Sequence, residues 1–267
     1  MVAIKWLGLE LKKLIVQKEI YIALVLCTII FAIALNAAML DIDPFWKNLT
    51  SSMPYIGYWF VASIVVVTVA RLEPFDREQQ MQELLYTYKK GYLQLLVIKQ
   101  VILLLSCIGI VSYFFIAATL ILYIFVDSPS MSIFSTIAVA PTFYLDVPEQ
   151  WTFIQLLLFE YVYSILTSFI FALVVFLLAF FCKRSVVIML VAGSLFALGE
   201  LYRRTGIYNY WLSFYDFYGL NGMLGFRYVQ VPMVMSELER LQLFGSIALL
   251  LFILNLIVGR WRKYALA

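Results

Sequence analysis

The stretch Leu95–Val126, LLVIKQVILLLSCIGIVSYFFIAATLILYIFV, decides the fold class. Lys99 is its only charged residue. An α-helix needs about 20 apolar residues to cross the hydrocarbon of a bilayer. This run exceeds that length, so it crosses with tilt or protrudes as a helix. Five further apolar spans follow: Ile20–Met39, Pro54–Leu72, Trp151–Phe181, Ser185–Leu201, which is short but nearly uncharged, and Leu238–Gly259. The expectation is an all-α membrane protein, a six-transmembrane-helix bundle forming a single transmembrane domain over 1–267.

Composition agrees with lipid as the main solvent. The chain of 267 residues is 64% hydrophobic and only 13% charged. A soluble domain carries about 25% charged residues. The aromatic share is 17%, and Trp and Tyr favour the membrane interface, where ring and polar tip are both satisfied. The net charge of +3 comes without a long basic run, so nucleic acid is not an expected partner. There is no histidine, which removes the commonest general base and metal ligand. Cys27, Cys107 and Cys182 are widely spaced in or beside apolar runs. They read as small buried hydrophobes rather than a disulfide or metal site.

Lys and Arg set the orientation. With the N-terminus in the cytoplasm, only Lys47, Arg203, Arg204, Arg227 and Arg240 fall outside. The remaining fourteen of the 19 basic residues fall inside, as the positive-inside rule requires. The 127–150 loop has no Lys or Arg, which makes its outside placement the firmest. Both termini are therefore expected in the cytoplasm. Ala32 and Ala34 give a weak A-x-A pattern, but the charged stretch before span one is long and the apolar run exceeds a signal-peptide core. An uncleaved first span is the expectation.

Ahead of it, Ile4, Leu7, Leu11, Leu14 and Ile15 fall on one helical stripe. Lys5, Glu10, Lys12 and Lys13 fall opposite; Trp6 and Leu9 break the pattern. Residues 2–18 read as an interfacial amphipathic helix whose lysines face anionic headgroups. A plain cytoplasmic tail is the alternative.

The loop between spans two and three, about 73–94, carries the most information. Its core runs Glu73-Pro-Phe-Asp-Arg-Glu-Gln-Gln-Met-Gln-Glu-Leu-Leu-Tyr-Thr-Tyr-Lys-Lys-Gly91. Pro74 and Gly91 bracket good helix formers. Met81, Leu84, Leu85 and Tyr88 recur at i, i+3, i+4 and i+7, so they share one face. Such a helix docks its apolar anchors into a groove of a soluble partner, or packs on its own bundle.

The whole layout resembles the permease subunits of the ABC-2 family of ATP-driven exporters. That family has an interfacial N-terminal helix, six spans and a cytoplasmic coupling segment after span two. Its coupling pattern is an acidic start, Glu-Leu-Leu, a Ser or Thr, a Pro, and a Lys opening span three. Glu78, Glu83-Leu84-Leu85, Thr87 and Lys99 stand at the matching places. Tyr88 replaces the Pro, and Met81 and Gln82 replace a frequent Gly-Thr pair. The resemblance implies ATPase-coupling contacts at Glu78, Met81, Glu83, Leu84, Leu85, Tyr88, Lys89 and Lys90. It implies a separate ABC ATPase subunit, a second permease copy or homologous permease, export, and a bacterial plasma membrane. It also implies that the aromatic external loop, about 202–237, dips back into the outer leaflet. Tyr208, Tyr210, Trp211, Phe214, Tyr215, Phe217 and Tyr218 suit that interface, and Gly219, Gly222 and Gly225 suit the turn back.

Two carboxylates lie in apolar runs. Glu160 sits inside span four, where a charge costs about 2.5–3.5 kcal/mol. It should face protein or a water-filled cavity, or be protonated, which makes it a possible pathway residue or a satisfied interhelical hydrogen bond. Glu200 ends span five with Arg203 and Arg204 in helical reach, which suits a structural ion pair. No G-x-x-x-x-G-K-[ST], H-E-x-x-H or G-x-S-x-G occurs. The expectation is a chain that is not an enzyme and holds no cofactor or metal, with ATP bound by the partner subunit. The rival readings are a non-transporting membrane scaffold or sensor, and a secondary transporter. The latter calls for paired interrupted helices and intramembrane charges in both halves, and Glu160 has no evident counterpart in the first half.

Overall fold

The computed structural model describes residues 2–38, 45–72, 91–125, 132–134, 136, 151–182, 184–205 and 237–266. These are almost entirely helical. The helices are α1 (Val2–Ile15), α2 (Lys18–Ala38), α3 (Phe45–Ser52), α4 (Tyr58–Leu72), α5 (Gly91–Phe125), α6 (Phe153–Phe181), α7 (Ser185–Thr205) and α8 (Glu237–Leu266). A turn of π-helix, Met53–Gly57, joins α3 to α4. An isolated bridge between Thr136 and Thr152 is the one extended pairing among the described residues.

Among the described residues, four helices are long and apolar enough to cross a membrane: α2, α5, α6 and α8. Tyr58–Leu72 and Ser185–Phe196 are shorter apolar helices. Burial separates their roles. In α6, 67% of the apolar window is buried, against 11% in α2 and 17% in α8. So α6 is the central post. The outer faces of α2 and α8 expose Ile22, Ile29, Ile30 and Ile33, and Leu249, Leu250 and Ile257. An apolar surface of that extent belongs against lipid.

Contacts between named residues fix the helix directions. Arg71 near the end of α4 meets Glu19 at the start of α2, and Phe31 meets Phe60, so α2 and α4 are antiparallel. Thr28 meets Tyr113 while Phe31 meets Phe114, which fits α2 and α5 running side by side. Ser112 of α5 meets Tyr161 of α6. Tyr163 meets Phe244 and Leu173 meets Asn255, so α8 runs parallel to α6.

Local chemistry explains the elements. Thr152 opens α6 with a capping box: its Oγ1 accepts from Gln155 N, and Gln155 Oε1 accepts from Thr152 N at 2.9 Å. Hydroxyls in apolar helices donate to their own i−4 carbonyls, as Thr28, Thr68, Ser112 and Thr119 do, so they are satisfied without water. Pro54 lies in the first turn of the π-helix, where the altered bonding accommodates a residue with no N–H. A Cβ at Gly57 would meet the Met53 sulfur, so a larger residue there requires the Met53 side chain to shift.

The structure modifies several sequence expectations. The segment before span two is helical from Phe45 rather than a loop up to Pro54. Helix α7 continues to Thr205, into the stretch read as external loop, and α8 continues past Gly259 to Leu266. Strong helix formers carry both beyond the apolar run. In α1, Glu10 does not lie on an exposed polar face: it is 2% exposed, while Ile15 is 60% exposed. Leu7, Glu10 and Leu14 share a face that packs on the bundle, and a 2.5 Å ion pair to Lys13 supports the Glu10 carboxylate. Protein packing, not the bilayer alone, sets that face.

Candidate functional site

Polar groups buried among the described transmembrane-type helices gather on α5, α6 and α8. Glu160, about two turns into α6, is 2% exposed. Its level is defined by its neighbours. Tyr161 shares a 2.7 Å hydroxyl–hydroxyl hydrogen bond with Ser112 of α5 and packs edge-on against Phe115. Tyr163, fully buried, stands edge-on to Phe244 of α8 with ring centroids 5.2 Å apart. Phe159 stacks on Tyr163 and meets Trp151 edge-on, closing the site toward the start of α6.

Ser164, Thr167 and Ser168 follow Glu160 at i+4, i+7 and i+8, so one face of α6 carries a polar stripe. All three are buried. Thr167 Oγ1 donates to the Tyr163 carbonyl at 3.0 Å, whereas Ser164 Oγ has no hydrogen-bond partner among the described residues. A carboxyl group above three hydroxyls, inside a helix that is mostly interior, gives a polar line through an apolar bundle.

A second polar level lies deeper along the chain of contacts. Lys99 and Gln100 of α5 are 2% and 0% exposed, and Asn255 of α8 is 0% exposed. Asn255 Nδ2 donates to the Leu173 carbonyl of α6 at 3.1 Å. Sequence reading noted Lys99 for its charge but passed over Gln100 and Asn255. Their signal was an amide within a run of apolar residues, which a search for charges does not weigh.

The other expected site residues fall elsewhere. Glu78, Met81, Glu83, Leu84, Leu85, Tyr88, Lys89 and Lys90 lie outside the described residues, as does 206–236 of the aromatic loop. Glu200, Arg203 and Arg204 belong to α7, with their side chains outside the description. None of the three cysteines joins a disulfide. No cluster of three or more potential metal ligands occurs among the described residues. No family model matches the chain, and no curated protein matches it.

Proposed function

We propose that this protein is the permease subunit of an ATP-driven exporter. In this reading it crosses the plasma membrane of a bacterium six times with both termini inside, and a separate ATPase docks on the segment 73–90. The observation that carries it is the placement of that segment's two ends. Leu72 and Gly91 end α4 and start α5 at the same end of the bundle as the start of α2, the end marked by the Glu19–Arg71 pair. The interfacial helix α1 precedes α2 at that end, and the basic residues Arg260, Arg262 and Lys263 follow the apolar part of α8.

The ATPase's closing motion would pass through this segment into rigid-body tilts of α4 and α5. Two permeases, identical or homologous, would form the pathway, with Glu160 as a candidate cargo contact. The chain itself would hold no nucleotide, cofactor or metal and would not act as an enzyme. Purification in detergent of the wild type beside a Leu84→Asp, Leu85→Asp double variant tests the reading. An ATPase recovered with the wild type and lost from a folded variant supports it. A folded wild type that brings down no ATPase overturns it in favour of a scaffold, a sensor or a secondary transporter.

A further inference from the structure

Gln100 is wholly buried, yet neither its amide N–H groups nor its carbonyl oxygen bonds to another group among the described residues. A carboxamide carries two donors and an acceptor. Leaving all of them unmet in an apolar interior is far costlier than leaving them in water. Asn255 is also wholly buried, and it spends its N–H on Leu173 while its Oδ1 stays unspent.

The helix register brings these two amides to one level. Leu96 of α5 lies against Gly259 of α8: a Cβ added at Gly259 would stand 2.5 Å from Leu96 Cδ1 and 3.4 Å from Phe180 Cζ. Gly259 stands beside both Leu96 and Phe180 while Ser112 meets Tyr161, so α5 runs antiparallel to α6 and hence to α8, and one turn from Leu96 and Gly259 toward the far end come Gln100 and Asn255. The α5–α6 register agrees. Ser112 pairs with Tyr161, and an equal count of residues leads to Gln100 on one helix and to Leu173, the Asn255 acceptor, on the other.

We infer that the junction of α5, α6 and α8 at Gln100 and Asn255 is a buried water-binding site. Water matches the leftover chemistry. It accepts from the Gln100 amide, donates to Asn255 Oδ1, and still has a bond for the Gln100 carbonyl, and buried waters make about three such bonds. A neutral ligand fits better than an ion, because the two side chains that the register brings to one level are both uncharged amides.

The test uses the full chain in nanodiscs of synthetic phosphatidylcholine, with glutamine side chains labelled by nitrogen-15. The Gln100→Met variant identifies the Gln100 signal by its loss. The expected result is magnetisation transfer from water to the Gln100 side-chain amide. No transfer, with transfer intact at glutamines outside the bundle, overturns the inference. A second measurement compares thermal midpoints for Gln100→Met, Asn255→Leu and the double variant. A shared water predicts that the double variant loses no more than the worse single one. Losses that add independently contradict it.

Discussion

Asn255 of α8 donates its side-chain amide to the main-chain carbonyl of Leu173 in α6 at 3.1 Å, although 82 residues separate them. Both helices run in the same direction, and this bond sets their relative height. The Leu173 carbonyl already belongs to its helix, so the bond adds to the α6 ladder rather than replacing a rung.

Replacing Asn255 with Leu removes that bond. Interhelical hydrogen bonds in membranes are worth about 0.6 kcal/mol on average and at most about 1.7. Reversible unfolding in bicelles should show a loss within that range. A gain in stability would mean that burial of the amide outweighs its bond.

Gly259 is where α8 comes closest to its neighbours. Leu96 is buried at 1% exposure, so it has little room to retreat. Gly259→Val should destabilise by roughly 1–3 kcal/mol, the usual range for overpacking. Adding Leu96→Ala should recover most of the loss, because the two residues meet. Additive losses in the double variant would show that the crowding lies elsewhere.

Phe31 is the hub of a three-ring cluster with Phe60 and Phe114, and it is fully buried. It joins α2 to α4 and α5. Phe31→Ala should cost about 3 kcal/mol, in line with buried Phe→Ala changes. Ile30, one residue away but 54% exposed toward lipid, should tolerate Ala within about 0.5 kcal/mol. Similar losses at both positions would contradict the assignment of inner and outer faces.

The Glu19–Arg71 pair bonds at 3.0 Å, but the Glu19 side chain is 51% exposed. Such a pair is worth about 0.2–1 kcal/mol and weakens in salt. Arg71→Ala should therefore cost less than about 1 kcal/mol. Swapping the charges, Glu19→Arg with Arg71→Glu, should restore most of that loss. A larger penalty would give Arg71 a role beyond joining α2 to α4.

The helical framework was legible because length and apolar content are enough to place α2, α5, α6 and α8. Glu160 was legible because a charge stands out in an apolar run. Gln100 and Asn255 were not, since only the packing of three helices makes an uncharged amide significant. Glu10 was misplaced because a helical wheel assumes one apolar solvent, whereas α1 packs against protein as well. The short helix Phe45–Ser52 has eight residues and is mostly polar after Trp46, too short and too polar to stand out beside the apolar spans. The segment on which the proposed function rests, 73–90, was read from its spacing and family likeness, and it lies outside the described residues.

That segment is where the account is tested most directly. A photoreactive amino acid at Leu84 or Leu85, activated in intact cells, should give an adduct with a polypeptide carrying G-x-x-x-x-G-K-[ST]. The same group at Tyr215, in the loop expected outside, should not. An adduct of that kind from 84 or 85 alone is the predicted result. No ATPase adduct from either position in folded protein, or an equal adduct from Tyr215, would contradict the proposed coupling.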